Sequence, residues 1–163
     1  ELSVAQMKKT LYRNFQGYST RVGADLYAFG ISAISQVQDI YAQNVKNFDQ
    51  YFLKIDEGVH PVEHGYRMNK DDLIRKEIIM QLMCNMELDK SKIEKMFDIS
   101  FENYFMSSLL KLQQFTDDGL IVNNSQKIII NPMGRLVIRN IAMCFDAYLD
   151  DMIAKKSIFS RTI

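Results

Sequence analysis

The sequence predicts a mainly α protein with minor β, whose second half is a helical, winged-helix-like domain. Three observations carry that expectation. From residue 69 onward, apolar residues recur at three and four positions, the spacing of one helix face. Two β-prone runs, Leu120 to Val122 and Ile128 to Ile130, flank the turn formers Asn123, Asn124 and Ser125. The resulting order of helix, helix, helix, hairpin and helix is that of a winged helix with one helix appended. Such an order carries no function by itself.

The bulk numbers narrow the class. A chain of 163 residues holds one ordinary domain, or one domain and a smaller piece. Apolar content of 47% with 25% charged residues excludes wholesale disorder. Lys and Arg together number 20, as do Asp and Glu, so the net charge gives no reason to expect nucleic-acid binding. No run of about 18 apolar residues reads as a membrane-spanning helix, and no signal peptide opens the chain. Cys84 and Cys144 both fall in apolar helical patterns and read as buried thiols, too few for a disulfide framework or a metal site. The abrupt start at Glu1, without Met, reads as the cut end of a longer protein.

In chain order, Ser3 is placed to cap a short helix from Val4 to about Leu11, with Gln6 at the capping-box position. The stretch from Arg13 to Ser35 keeps neither period. Gly17, Gly23 and Gly30 break it into short pieces, and Leu26 to Ile34 is expected to supply a short strand and a turn. On local features alone it reads as a glycine-broken surface loop. From Ile40 to about Ile55 the pattern is helical, with Val45, Phe48, Tyr51, Phe52 and Ile55 on one apolar face. His60 and His64 have the spacing of a helical metal pair. Pro61 and Gly65 argue against a helix there, so the expectation is an exposed hairpin and no metal.

Asn69 caps the next helix, with Asp71 and Asp72 in its first turn, where the helix dipole favours acid. Leu73, Ile74, Ile78, Met80, Leu82 and Met83 form its buried stripe. Asp89 starts a shorter helix, Lys90 to Phe97, and Ser100 starts another, Phe101 to Asp117, stopped by Gly119. Pro132 opens a last long helix from Met133 to about Ala154, with Val137, Ile141, Cys144, Phe145, Tyr148 and Met152 along one face. A DNA-reading helix would need Arg, Lys, Asn or Gln aimed at bases. The candidate, Phe101 to Asp117, offers Lys111 against Glu102, Asp117 and Asp118, and Lys127 is the only cation in the wing.

Several short runs of the chain resemble one family closely. They are Arg13-Asn14-Phe15-Gln16-Gly17-Tyr18-Ser19-Thr20, Asp25-Leu26, Gly30-Ile31-Ser32-Ala33-Ile34-Ser35 and Tyr41-Ala42-Gln43-Asn44. Gly134-Arg135-Leu136, Ile138-Arg139-Asn140-Ile141, Met143-Cys144-Phe145-Asp146 and Phe159-Ser160-Arg161 continue the likeness. Together they resemble the oxygen-independent coproporphyrinogen III oxidases, radical S-adenosylmethionine (SAM) enzymes of haem biosynthesis. The family's catalytic core is a partial (β/α) barrel carrying a four-iron, four-sulfur (4Fe-4S) cluster on a Cys-x3-Cys-x2-Cys motif. That motif and the glycine-rich SAM motif are missing here, so the chain resembles the C-terminal part. Residues 1–68 would be the end of the barrel region with a connecting helix, and residues 69–163 a winged-helix-like domain covering it.

What this resemblance implies is as follows. The parent enzyme oxidatively decarboxylates two propionates of coproporphyrinogen III to vinyls, giving protoporphyrinogen IX in the cytoplasm. A 5′-deoxyadenosyl radical made from SAM at the cluster removes a hydrogen from each propionate β-carbon; an electron and carbon dioxide then leave. This fragment would hold no catalytic residue, metal or cluster, and alone would be inactive. Phe15, Gln16 and Ile34 would line the SAM and substrate cavity, and Arg13 and Arg21 would meet propionate carboxylates. The partners would be coproporphyrinogen III, SAM and the N-terminal barrel of the same chain, with no nucleic acid and no membrane. Two alternatives stand beside this: the tail of a related haem chaperone, and a winged-helix DNA-binding regulator.

Overall fold

A computed structural model describes residues 1–149, and these divide into two units with the boundary after Leu73. The architecture is mixed helix and sheet.

The first unit, Glu1–Leu73, is built mostly from strands. Its helix α1 spans Leu2–Met7 with Glu1 at the N-cap position and no side-chain cap, so Ser3 lies inside the helix rather than capping it. The helix ends early because Lys9 turns into the left-handed region, with φ of 56°. A tight hairpin follows, β1 at Tyr12–Asn14 and β2 at Gly17–Ser19, paired Tyr12 with Ser19, Arg13 with Tyr18 and Asn14 with Gly17. Gly17, the first residue after the two-residue turn, sits at φ of 128°, a backbone that a side chain disfavours.

Next comes a three-stranded antiparallel sheet in the order β3-β4-β5, from Ile34–Val37, Ile40–Asn44 and Val62–Arg67. The expected strand near Leu26 reduces to one isolated bridge, Leu26 to Gln36. The helix expected from Ile40 begins only at Phe48. Gln38, at φ of 52°, closes a two-residue turn that folds residues 40–44 back on β3 as a strand. Helix α2 then spans Phe48–Asp56, with the Asn47 side chain accepting from the Gln50 amide. The apolar face read from the sequence is not buried within this unit: Phe48, Phe52, Leu53 and Ile55 are exposed. The residues around His60 and His64 form an edge strand against β4 rather than a hairpin of their own, and β5 is exposed along its whole length.

The second unit packs helices on a second three-stranded sheet. Helix α3, Lys70–Asn85, starts just before the boundary. The Asn69 side chain accepts from the Asp72 amide while Asp72 accepts from the Asn69 amide, a reciprocal cap. Strand β6, Glu87–Asp89, is an element that the periodicity did not announce. Helix α4, Lys90–Phe97, begins at the expected residue with Asp89 as its cap. The single helix expected over residues 101–117 is two: α5 at Phe101–Tyr104 and α6 at Met106–Asp117, broken where Phe105 leaves helical geometry. The hairpin is as expected, β7 at Ile121–Asn123 and β8 at Lys127–Ile130, with the Asn124 carboxamide oxygen accepting from the amides of Gln126 and Lys127. The sheet order is β6-β8-β7.

Among the described residues, the segment after Pro132 is not one continuous helix. A 3-10 turn at Gly134–Val137 leads into α7, Ile138–Met143, and the helix stops there. Arg75 donates to the Phe145 carbonyl and the Asp146 side chain accepts from the Tyr148 amide, so both groups favour a turn over further helix. Met152, the expected end at Ala154 and the Phe159-Ser160-Arg161 run lie outside the described residues. Gly134 has a second constraint: a Cβ there would collide with the Leu120 carbonyl oxygen and crowd Ile130.

Candidate functional site

The residues singled out in the sequence lie in the first unit, and the sheet pairing decides how they are related. Directly opposed residues of antiparallel strands share a sheet face, and alternate residues along a strand do too. Ile34 pairs with Gln43 and Gln36 with Tyr41; Gln43 in turn pairs with His64 and Tyr41 with Tyr66. One face of the sheet therefore carries Ile34, Gln36, Tyr41, Gln43, His64 and Tyr66.

The 12–19 hairpin lies against this face at two points. The buried Gln36 side chain donates to the Tyr12 hydroxyl at 3.0 Å. The Phe15 ring, at the hairpin tip, meets the Tyr41 ring edge-on with centroids 5.3 Å apart. The structure thus brings Phe15 to the sheet face that also carries Ile34. Gln16 sits beside Phe15 in the turn, where its amide donates to the Asn14 side chain, and the residue is exposed. Phe15 keeps 58% of its surface accessible in spite of the Tyr41 contact, an unusual state for a phenylalanine that serves only to fill a core.

The two arginines are not brought to that face. Arg13 alternates with Tyr12, so it projects from the opposite side of the hairpin, where its guanidinium stands 5.9 Å from the centre of the Tyr18 ring. Arg21 lines a separate open cleft of about 1120 Å³, formed by Val4 and Ala5 of α1, by Lys8 and Thr10 after it, and by the segment from Thr20 to Ala24.

The loop from Thr20 to Ala33 is pinned by side chains rather than by a core. Asp25 accepts from the Gln38 amide, Ser35 from the Ala28 amide and Tyr51 from the Gly30 amide. The buried Asn44 side chain donates to the Gly30 carbonyl. These bonds hold out Tyr27, Phe29 and Ile31, and all three remain exposed. Burial holds the Tyr41 phenol above its ordinary value of 10.0. Sequence reasoning offered Gln36, with Ser32 and Ser35, as a small polar group able to meet a ligand, but it missed Tyr12 and it missed Tyr41 because residues 40 onward read as helix. The alternation of Ile40, Ala42 and Asn44 against Tyr41 and Gln43 was the available signal.

The cofactors implied by the resemblance fit unequally. An exposed aromatic ring beside an exposed carboxamide, which both donates and accepts, suits an adenosyl or amino-acid edge. An iron–sulfur cluster does not fit. Among the described residues no group of three or more His, Cys, Asp or Glu stands close enough to hold a metal. Both thiols are buried in the second unit, and burial pushes that of Cys144 up, away from the thiolate a cluster needs. No helix among the described residues is long and apolar enough to cross a membrane.

Residues 68–137 match the family model described as the HemN C-terminal domain. Over its whole length the chain is 44% identical to the oxygen-independent coproporphyrinogen III oxidase of Escherichia coli K12, of which it covers 35%. It is 41% identical to the protein of the same name from Synechocystis, covering 36% of it, and 43% identical to that from Thermostichus vulcanus, covering 50%. A solved structure described as coproporphyrinogen III oxidase (HemN) from Escherichia coli, a radical SAM enzyme, superposes with a TM-score of 0.88 at 44% identity. That match covers 91% of this chain and 34% of the other. The chain spans between about a third and a half of the length of these curated relatives.

Proposed function

We propose, from the premise that this chain is the counterpart of the C-terminal part of the oxygen-independent coproporphyrinogen III oxidases, that it forms the substrate-side wall and cover of a radical SAM active site. The parent protein would convert two propionates of coproporphyrinogen III to vinyls, in the cytoplasm. SAM and a four-iron cluster, held by an upstream barrel, supply the hydrogen-abstracting chemistry. The residues of this chain bind, orient and exclude water.

The single observation that carries this reading is the exposed Phe15–Gln16 tip, held over the same sheet face as Ile34. Phe15 and Ile34 offer apolar walls, and Gln16 a carboxamide that reads the polar edge of a SAM molecule. The exposed apolar residues of the first unit, among them Phe29, Phe48 and Phe52, support packing against the upstream barrel. Residues 1–68 are then the end of the barrel region and 69–163 the helical, winged-helix-like C-terminal domain. The sheet order β6-β8-β7, with α3, α4 and α6 before its hairpin, supports a winged-helix form for that domain. Lys111 is the only cation on α6, which fits a packing module better than a DNA reader. Arg13 and Arg21 sit apart from the Phe15 face, so each is assigned to propionate binding only if substrate reaches the outer side of the hairpin or the α1 cleft.

The test uses the full-length protein under anaerobic conditions. SAM-dependent formation of protoporphyrinogen IX from coproporphyrinogen III is expected, and Phe15→Ala or Gln16→Ala is expected to weaken SAM binding by about tenfold. Unchanged SAM affinity in both variants would remove the assignment of this face.

A further inference from the structure

The hairpin that carries Phe15 and Gln16 has little to hold it. It is two three-residue strands joined by a two-residue turn, and an isolated hairpin of that size is marginal in water. None of its residues is buried. Its position must therefore come from what it rests on. Two neighbouring side chains of the β3–β4 pair supply that support, one polar and one aromatic.

Gln36 is the polar support. Its backbone amide and carbonyl both bond Leu26, at 2.8 and 2.7 Å, while its side chain donates to Tyr12. One buried residue thereby fixes both the 20–33 loop and the base of the hairpin. Tyr41, directly opposite Gln36 on β4, is the aromatic support, and its ring meets Phe15 at an interplanar angle of 86°. On the other side Tyr41 is opposed by Tyr66, whose hydroxyl donates to Asp72 at 2.6 Å. Tyr41 thus stands on the central strand with a neighbour on each flank, while Phe15 stands at a free tip.

We propose that Tyr41, with Gln36 beside it, is the seat of the hairpin, and that it positions Phe15 toward SAM without touching SAM itself. The inference rests on the reading that Phe15 lines the SAM cavity, and adds a residue which acts through Phe15. The two rings meet edge to face, a contact that a phenyl ring makes as well as a phenol does. The conservative change Tyr41→Phe therefore keeps the function and Tyr41→Leu loses it.

The test measures the SAM dissociation constant of the full-length protein by equilibrium dialysis, with melting temperature recorded for each variant. Phe15→Ala is expected to weaken SAM binding about tenfold, and Tyr41→Leu about three- to tenfold, the scale of an aromatic pair. Tyr41→Phe restores binding to within about twofold of the parent. Phe15→Ala combined with Tyr41→Leu is no weaker than Phe15→Ala alone, because one residue acts through the other. Tyr12→Phe, which removes only the acceptor for Gln36, weakens binding about two- to threefold and serves as the second route if Tyr41→Leu folds poorly.

If Phe15→Ala is impaired while Tyr41→Leu and Tyr12→Phe both bind like the parent, the seat is overturned and the cavity assignment stands. If the losses multiply in the double variant, Tyr41 acts independently and the proposal is overturned as well. If Phe15→Ala itself binds normally, the cavity assignment fails and takes the seat with it.

Discussion

The two units are held together by different forces. In the second, the large and fully buried side chains form one core: Phe101, Phe105, Phe145, Ile74, Ile78, Leu82, Leu88, Ile93, Leu112, Ile128 and Ile141. Phe101, Phe105 and Phe145 pack ring to ring, with centroids 5.0 to 6.3 Å apart. In the first unit the buried apolar residues are only Ala5, Val45, Pro61 and Met68. Backbone ladders and side-chain hydrogen bonds from Gln36, Asn44, Asp25, Ser35 and Tyr51 do the holding there. The aromatic residues that a closed domain would bury are instead on its outside. Burial of apolar surface is the main driving force of folding, so the second unit has the means to be stable by itself. The first has shape but little core, as expected of a segment completed by a neighbour.

The largest expected effect falls on the second unit. Phe145→Ala removes a ring that touches two other rings and is expected to cost about 3–5 kcal/mol. Urea unfolding of this chain checks it, and a cost near zero would break the contrast. A smaller effect is expected at alkaline pH. Burial raises the Cys144 thiol above its ordinary 9.0, partly opposed by Lys111. The folded state therefore holds that proton more tightly than the unfolded chain. The stabilisation is complete below about pH 9 and fades as the pH rises through the folded value. A pH series of melting temperatures, with Cys144→Ala as the reference lacking the extra fall, reads it. The smallest effect belongs to the first unit. Phe52→Glu on the exposed face of α2 is expected to change the stability of this chain by less than about 0.5 kcal/mol. The same change in the full-length protein should cost clearly more if an upstream barrel covers that face. Equal small costs in both would argue that nothing covers it.

Much of the second unit was legible in the sequence because local signals and tertiary packing agree there. Asn69, Asp89 and Gly119 mark helix ends, and Asn123-Asn124-Ser125 marks the hairpin. What was missed follows from packing. Phe105 leaves helical geometry inside a run with strong helical period, and nothing local to Phe105 announces it. Strand β6 is three residues long and exists because β8 pairs with it. In the first unit the apolar period misled. Residues 40–55 fit one helical face, yet the turn at Gln38 and Asp39 makes the first five of them a strand. The exposed side of α2 carries the pattern of a buried stripe because a periodicity records that a face is apolar, not what lies against it. The candidate site was half legible for the same reason. Phe15, Gln16 and Ile34 stood out through the family likeness, whereas Tyr12, Gln36 and Tyr41 are joined only by strand register.

Lys90 shows how tightly the second unit closes. Its amine is nearly inaccessible, 2.6 Å from a Glu102 carboxylate oxygen and 5.4 Å from the centre of the Phe101 ring. Acetylating reagents and trypsin should both pass this residue by while the unit is folded. Its first modification, followed by mass spectrometry, would then time the opening of the domain.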